Sequence, residues 1–238
     1  MSPFATRVYS IAGGLCFIAS LSYFIYVYFV RFGIADTNSG QVLSSLTTNI
    51  VLFTAFASHH SLLARERVKG WIIRYIPAEL ERSTYVWFAS VLFTLMCAWW
   101  RPMSGTLYAA VGVARIFGFI VQCMGIVVSL WSVSMLDPLK LAGLRPTTTP
   151  NTLSTTDTGE LCVQGLYQWV RHPIYFGWIL FVFGTPDMTL ERFSFAAIST
   201  TYIVLALPWE ERSMVHTFGA RYESYRNEVK WRIIPGIY

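Results

Sequence analysis

Charge is what this chain has least of. Only 13% of its 238 residues are charged, against 54% hydrophobic, where a soluble domain would carry about 25% charged residues. No polar block is long enough to build a large soluble domain. Long apolar segments almost free of charge mark a polytopic membrane protein, because charge is costly at mid-bilayer. Cysteine is scarce too. Cys16, Cys97, Cys123 and Cys162 form no CxxC pair and no metal-ligand spacing, which excludes a zinc site and a disulfide framework. The first three lie in apolar segments and read as small hydrophobes. GxGxxG, P-loop and HExxH patterns are missing, so no soluble nucleotide-binding fold or zinc protease site is available. The net charge of +5 sits in short loops between apolar segments. It is read as a topology and headgroup signal rather than a nucleic-acid footprint.

What is present is organised around apolar helices, and the fold expected is all-α. Four spans are expected, at about Val8–Val30, Val42–Leu63, Thr84–Trp100 and Tyr108–Met135. The first lacks a small-residue cleavage site and is expected to be retained. Its Gly13-Gly14 pair suits close helix packing in lipid. In the second, Ser44, Ser45, Thr47, Thr48 and Asn49 are expected to face neighbouring helices. A basic loop over 64–83, with Trp71 and Tyr75 at the interface, joins spans two and three. A Thr-rich loop over 146–160 is expected to be mobile. The last apolar block, Ile174–Leu207, is split by GTPDMTLER. That split predicts a helical hairpin with arms of about 12 to 16 residues, followed from Trp209 by an amphipathic tail outside the lipid. The domain reading is a four-helix transmembrane scaffold over 1–135 and a ligand-binding region with the hairpin over 136–238.

Basic residues orient these spans. With the N-terminus in the cytoplasm, the inside segments carry Arg7, Arg65, Arg67, Lys69, Arg74, Arg82, Lys140, Arg145, Arg171, Arg212, Arg221, Arg226, Lys230 and Arg232. Only Arg31, Arg101, Arg115 and Arg192 fall outside. That asymmetry satisfies the positive-inside rule and places the ends of the hairpin in the cytoplasm.

Two polar clusters flank the hairpin and carry the chemistry. In Arg171-His172-Pro173, proline suits the first position of a helix, where its missing N–H costs nothing. Arg171 and His172 then lie at a helix N-terminus that favours anions; the alternative is a basic membrane-border segment. Glu210-Glu211 follows the second arm and could hold a cationic ligand, such as an amino group or a sulfonium, or pair with Arg171. Phe218, Tyr222 and Tyr225 lie on one helical face, read first as packing. His59-His60 at the end of span two makes a poor metal site, since adjacent residues point apart on a helix. His60 could instead assist proton removal.

Together, Gly165-x-Tyr167-x-x-x-Arg171-His172-Pro173-x-Tyr175-x-Gly177, the hairpin, Glu210-Glu211 and Phe218-Gly219-x-x-Tyr222-x-x-Tyr225 resemble the isoprenylcysteine carboxyl methyltransferase superfamily. These are integral membrane enzymes that use S-adenosylmethionine. Upstream, His60-Ser61-x-x-Ala64-Arg65, Glu81-Arg82-Ser83-Thr84-Tyr85, Trp100-Arg101-Pro102 and Gly143-Leu144-Arg145 resemble a narrower branch, the bacterial methanethiol S-methyltransferases. The resemblance implies S-adenosylmethionine as cofactor, contacted by Gln164, Gly165, Tyr167, Arg171, His172, Tyr175, Glu210 and Glu211. It implies a small apolar thiol as acceptor, reached from the bilayer of a bacterial inner membrane, with no metal and no nucleic acid. His172, Glu211, Tyr175 and His60 are the candidate catalytic residues. The competing readings are a lipidic acceptor such as a prenylcysteine carboxylate, a membrane reductase of the sterol-reductase type, and a non-enzymatic relative.

Overall fold

Inside a bilayer, a backbone must satisfy its own hydrogen bonds, so long apolar segments become helices. In the computed structural model of the chain, residues 3–34, 41–63, 68, 74–136, 138–144 and 161–238 are described, the side chains of Pro3, His60, Ala78 and Lys140 excepted. The Thr-rich loop, part of the basic loop (64–67 and 69–73) and residues 35–40 fall outside these residues. Among the described residues, four helices are long and apolar enough to cross a membrane: Phe4–Arg31, Val42–Leu63, Gly112–Ser134 and Leu190–Phe218. The number matches the expected count, but the set differs. Glu81–Trp99, expected as span three, is less apolar and is not among them, whereas the helix through the second hairpin arm is. The chain divides into two compact units, one formed by 1–31, 41–102 and 137–157, the other by 32–40, 103–136 and 158–238.

In the first unit, α1 (Pro3–Tyr26) runs on through a π-helical turn to Arg31, and both α1 and α2 (Val42–Leu63) pack against α3 (Glu81–Trp99). The Gly13-Gly14 pair is a close-packing site. A Cβ on Gly13 would lie 3.0 Å from the Trp87 ring, and one on Gly14 would lie 2.6 Å from Leu144. Hydroxyls sew the helices together across this seam. Ser10 and Ser83 are 2.8 Å apart, and Ser83 also donates to the Gly143 carbonyl at 2.8 Å.

Of the polar residues at the start of α2, Asn49 is the one fully buried. Its amide donates to the Arg101 carbonyl at 2.9 Å and its oxygen accepts the Arg101 N–H at 2.7 Å. This two-point bond satisfies the backbone just past α3, before Pro102 could continue a helix. Thr47 and Thr48 instead bond back to the carbonyls of Leu43 and Ser44 in their own helix. Asn49→Leu strands both backbone groups, at about 1–3 kcal/mol each. The expected result is a clearly lowered thermal midpoint in detergent, read by fluorescence, while Thr47→Ala leaves the midpoint near the wild-type value.

The second unit begins with β1 (Thr106–Ala109) and α4 (Gly112–Ser134). After a 3₁₀ turn at Gly165–Gln168 come α5 (Pro173–Phe183), β2 (Asp187–Thr189), α6 (Leu190–Phe218) and α7 (Ala220–Glu228). The all-α expectation needs one correction, since β1 and β2 pair antiparallel with Thr106 opposite Thr189 and Tyr108 opposite Met188. Strands this short leave no periodic pattern to read. Arg115 and Asp187 close that end with an ion pair at 2.7 Å. Arg192, expected as a loop charge, is instead buried in the first turn of α6 and donates to the Asp187 carbonyl at 2.8 Å.

The expected hairpin has unequal arms. Its first arm, α5, has 11 residues, and its second, α6, has 29 because the helix continues through Pro208, Trp209 and both glutamates to Phe218. The tail therefore does not leave the helix at Trp209. It breaks at Gly219, whose φ of +54° suits a residue without a Cβ. Small residues let α4 and α5 approach closely. A Cβ on Gly125 would lie 2.4 Å from the Phe181 nitrogen and 2.6 Å from the Gly177 carbonyl, and one on Gly177 would lie 2.4 Å from the Ser129 hydroxyl.

Candidate functional site

The site is built where α5 begins and the last turns of α6 pass beside it, inside the second unit. Pro173 is the first residue of α5, as its locked φ and missing N–H allow, and His172 is the N-cap. The cap leaves the N–H groups of Arg171 and His172 without helical partners. They donate to the carbonyls of Trp231 and Arg232, at 2.9 and 2.8 Å. The chain beyond α7 thus folds back and lies along the start of α5.

Arg171 and Glu211 meet at the centre. Arg171 Nε donates to Glu211 Oε1 at 2.7 Å, with 5% and 4% of the two side chains exposed. Arg171 Nη1 also donates to the carbonyls of Val229 and Lys230, at 2.7 and 3.1 Å. A buried charge pair persists where its remaining donors and acceptors are also satisfied, as here. Of the alternatives for the paired glutamates, Glu211 thus takes the structural one, and Arg171 is not a free anion-binding group. The other oxygen of Glu211 faces Arg232 Nε at 3.2 Å.

Glu210 is different. It is 27% exposed, and its Oε2 accepts a hydrogen bond from the Tyr175 hydroxyl at 2.8 Å. His172 lies between the two carboxylates, with Nδ1 3.8 Å from Glu210 Oε1 and Nε2 3.6 Å from Glu211 Oε1. Neither distance is a hydrogen bond. The imidazole stacks on the Tyr175 ring, with centroids 5.6 Å apart and planes 10° apart.

Two polar atoms near Glu211, His172 Nε2 and the Tyr222 hydroxyl, are buried with no hydrogen-bond partner among the described residues. Burial and the Glu211 charge push the Tyr222 phenol up, so it stays protonated as a donor. Orphaned polar atoms are rare in native interiors, and each calls for an explanation.

Of the remaining predicted residues, three lie on or beside the 3₁₀ turn. Gly165, with φ +57°, starts the 3₁₀ turn so close to Met135 that a Cβ would lie 2.2 Å from its methyl group. The Tyr167 hydroxyl is 3.4 Å from the Ser132 carbonyl, and the Tyr167 carbonyl accepts from the Tyr225 hydroxyl at 2.6 Å. Gln164 is exposed at the N-cap of that turn. His60 ends α2 in the first unit, and its side chain lies outside the described residues. Tyr222 and Tyr225 are buried with Leu161 and Val229, and Phe218 packs against them from beyond the Gly219 break. Sequence reasoning gave Arg232 a place only among the basic residues that orient the spans, and gave Tyr238 none.

Residues 144–216, which hold all the ionisable groups of this site except Arg232 and Tyr222, match the isoprenylcysteine carboxyl methyltransferase family model. A methanethiol S-methyltransferase of Mycobacterium tuberculosis is 32% identical over 234 residues, covering 96% of each chain. One from Crocosphaera subtropica is 34% identical over 85% of this chain and 80% of its own. The chain belongs to the isoprenylcysteine carboxyl methyltransferase family, alongside these methanethiol S-methyltransferases. The likeness to the protein-S-isoprenylcysteine O-methyltransferase of Dictyostelium discoideum, 33% identical, is confined to 85 residues, 34% of this chain and 35% of that one. No solved structure matches the chain. The branch of this methyltransferase family named for methanethiol thus matches upstream and downstream of the shared C-terminal region, as the upstream segments of the sequence imply.

Proposed function

We propose that this chain transfers a methyl group from S-adenosylmethionine to the sulfur of a small thiol, with methanethiol as acceptor and dimethyl sulfide as product. The carrying observation is the whole-length likeness to relatives named methanethiol S-methyltransferase. The residues present fit the cofactor. Glu210 is a partly exposed carboxylate suited to a cation, and the unpaired His172 Nε2 and Tyr222 hydroxyl offer further polar contacts. Glu211 shapes the pocket through Arg171 and Arg232 rather than by offering a free charge. Gln164, Gly165, Tyr167 and Tyr175 complete the expected cofactor shell.

When bound, a sulfonium donor supplies a methyl group already activated for displacement, so the protein's task is chiefly alignment. Tyr175 orients Glu210 by its hydrogen bond. The carboxylate–imidazole–carboxylate array suits His172 to take up a proton, and a thiol must lose one because the thiolate is the nucleophile. In balance, the acceptor S–H gives its proton to His172. A bound sulfonium donor would supply the methyl group, its C–S bond breaking as the new S–C bond formed and its positive charge being neutralised.

In this reading residues 136–238 form the cofactor region and 1–135 the membrane scaffold, except that α4 belongs to the same compact unit as the site. The site faces the cytoplasm of a bacterial inner membrane, supported by the distribution of basic residues and by the bacterial relatives. The test is expression in a host lacking thiol methylation, supplied with methanethiol. Headspace dimethyl sulfide well above the empty-vector level is expected. Inserted, donor-binding protein that makes none, yet methylates a prenylcysteine, would transfer the assignment to a lipidic acceptor.

A further inference from the structure

We infer that Arg232 is a positioning residue, and that the segment after α7 belongs to the catalytic unit as a clasp across its two halves. The inference rests on the methyl-transfer reading and adds to it a residue outside the matched 144–216 region.

Arg232 is tied to both halves of the site at once. Its carbonyl accepts the His172 N–H at 2.8 Å, so its backbone holds the N-cap of α5. Its Nε lies 3.2 Å from Glu211 Oε2, so its side chain holds the carboxylate presented by α6. The guanidinium is itself held in place. Nη1 donates to the Tyr238 hydroxyl at 2.9 Å, and the group lies over the Tyr238 ring 5.2 Å from its centroid. The N–H groups of Arg232, Ile233 and Ile234 converge on the Tyr238 carbonyl oxygen at 2.8–3.0 Å, which curls the segment into a compact turn. Ile233 is 1% exposed and anchors that turn in the interior.

Glu211 has two oxygens and two cations. Oε1 is held by Arg171, and Oε2 by Arg232. With Arg171 alone the carboxylate could swing about that single Nε bond and close the 3.6 Å gap to His172 Nε2. Arg232 opposes that motion and so keeps the imidazole free. The two roles of Arg232 separate cleanly by mutation, because the backbone bond to His172 survives any change of side chain. Its side chain is 36% exposed, so its ion pair adds little to stability, whereas a shift of about 1 Å at the reacting groups costs about a hundredfold in rate.

The experiment uses full-length protein in lipid nanodiscs, with Arg232→Ala, Arg232→Lys, Tyr238→Phe and the exposed Arg221→Ala as a control for loss of a surface cation. Donor affinity is measured by calorimetry and turnover by dimethyl sulfide release. Arg232→Ala is expected to lose about tenfold to a hundredfold in kcat at a thermal midpoint close to wild type. Arg232→Lys should recover part of the loss by restoring the charge, and Tyr238→Phe should give a smaller loss. Arg221→Ala should match wild type. Wild-type turnover in Arg232→Ala overturns the inference while leaving the methyl-transfer reading intact. So does a fall in kcat matched by a collapse of the thermal midpoint in Arg232→Ala and Arg232→Lys alike. Wild-type protein that binds no S-adenosylmethionine overturns the reading itself.

Discussion

Glu211→Ala is expected to abolish methyl transfer and to destabilise the protein by about 3–5 kcal/mol, because it strands the buried Arg171 guanidinium without its counter-charge. Loss of activity alone would then be ambiguous between chemistry and unfolding. The double variant Arg171→Met with Glu211→Leu resolves this. Replacing both members of a buried ion pair by apolar residues of similar volume is often close to neutral for stability. The double variant should therefore recover most of the thermal midpoint lost by the single one, short of full recovery because the Val229 and Lys230 carbonyls lose their donor. It should remain inactive, since His172 then lacks the carboxylate 3.6 Å from its Nε2. A double variant as unstable as Glu211→Ala would mean that the pair is not what the fold relies on here. A double variant that turns over would place the chemistry elsewhere.

The second large effect is at Gly125. A Cβ there meets backbone, the Phe181 nitrogen at 2.4 Å and the Gly177 carbonyl at 2.6 Å, and backbone cannot rotate away as a side-chain tip can. Gly177 cannot yield in turn, because its own face is filled by Ser129 and the Gly125 carbonyl. Even Gly125→Ala is expected to cost about 1–3 kcal/mol as overpacking, and Gly125→Leu to prevent accumulation of folded protein. The site depends on this contact, since α4 carries Ser132 and Met135 to Tyr167 and Gly165 while α5 carries His172. Val127→Leu, on an exposed face of the same helix, should behave as wild type. Size-exclusion profiles of detergent-extracted variants distinguish these outcomes, and a monodisperse Gly125→Leu protein would contradict the close-packed interface.

The legible parts of this protein were those with a local cause. Pro173 announced the start of α5, and the polar GTPDMTLER stretch announced its end. Gly13-Gly14 announced a tight seam in the first unit. The length of α6 was hidden because Pro208 followed by two glutamates reads as a helix stop, and what carries the helix onward is non-local. Glu211 finds Arg171 from 40 positions upstream and Arg232 from the returning tail. The β1–β2 pair was hidden because strands of four and three residues have too few alternations to register. The pairing of Arg171 with Glu211 was one of two alternatives open in the sequence, and burial favours it. Arg232 could be assigned only to the topology count, since its contacts with His172 and Glu211 form only when the chain after α7 turns back onto the N-cap of α5.

The most direct measurement of the central claim uses purified protein in nanodiscs, given S-adenosylmethionine with an isotopically labelled methyl group and unlabelled methanethiol. Mass spectrometry of the headspace should show dimethyl sulfide carrying the labelled methyl, formed in proportion to the protein and lost in His172→Ala. Unlabelled product, or labelled product at the same rate from His172→Ala, would contradict the account.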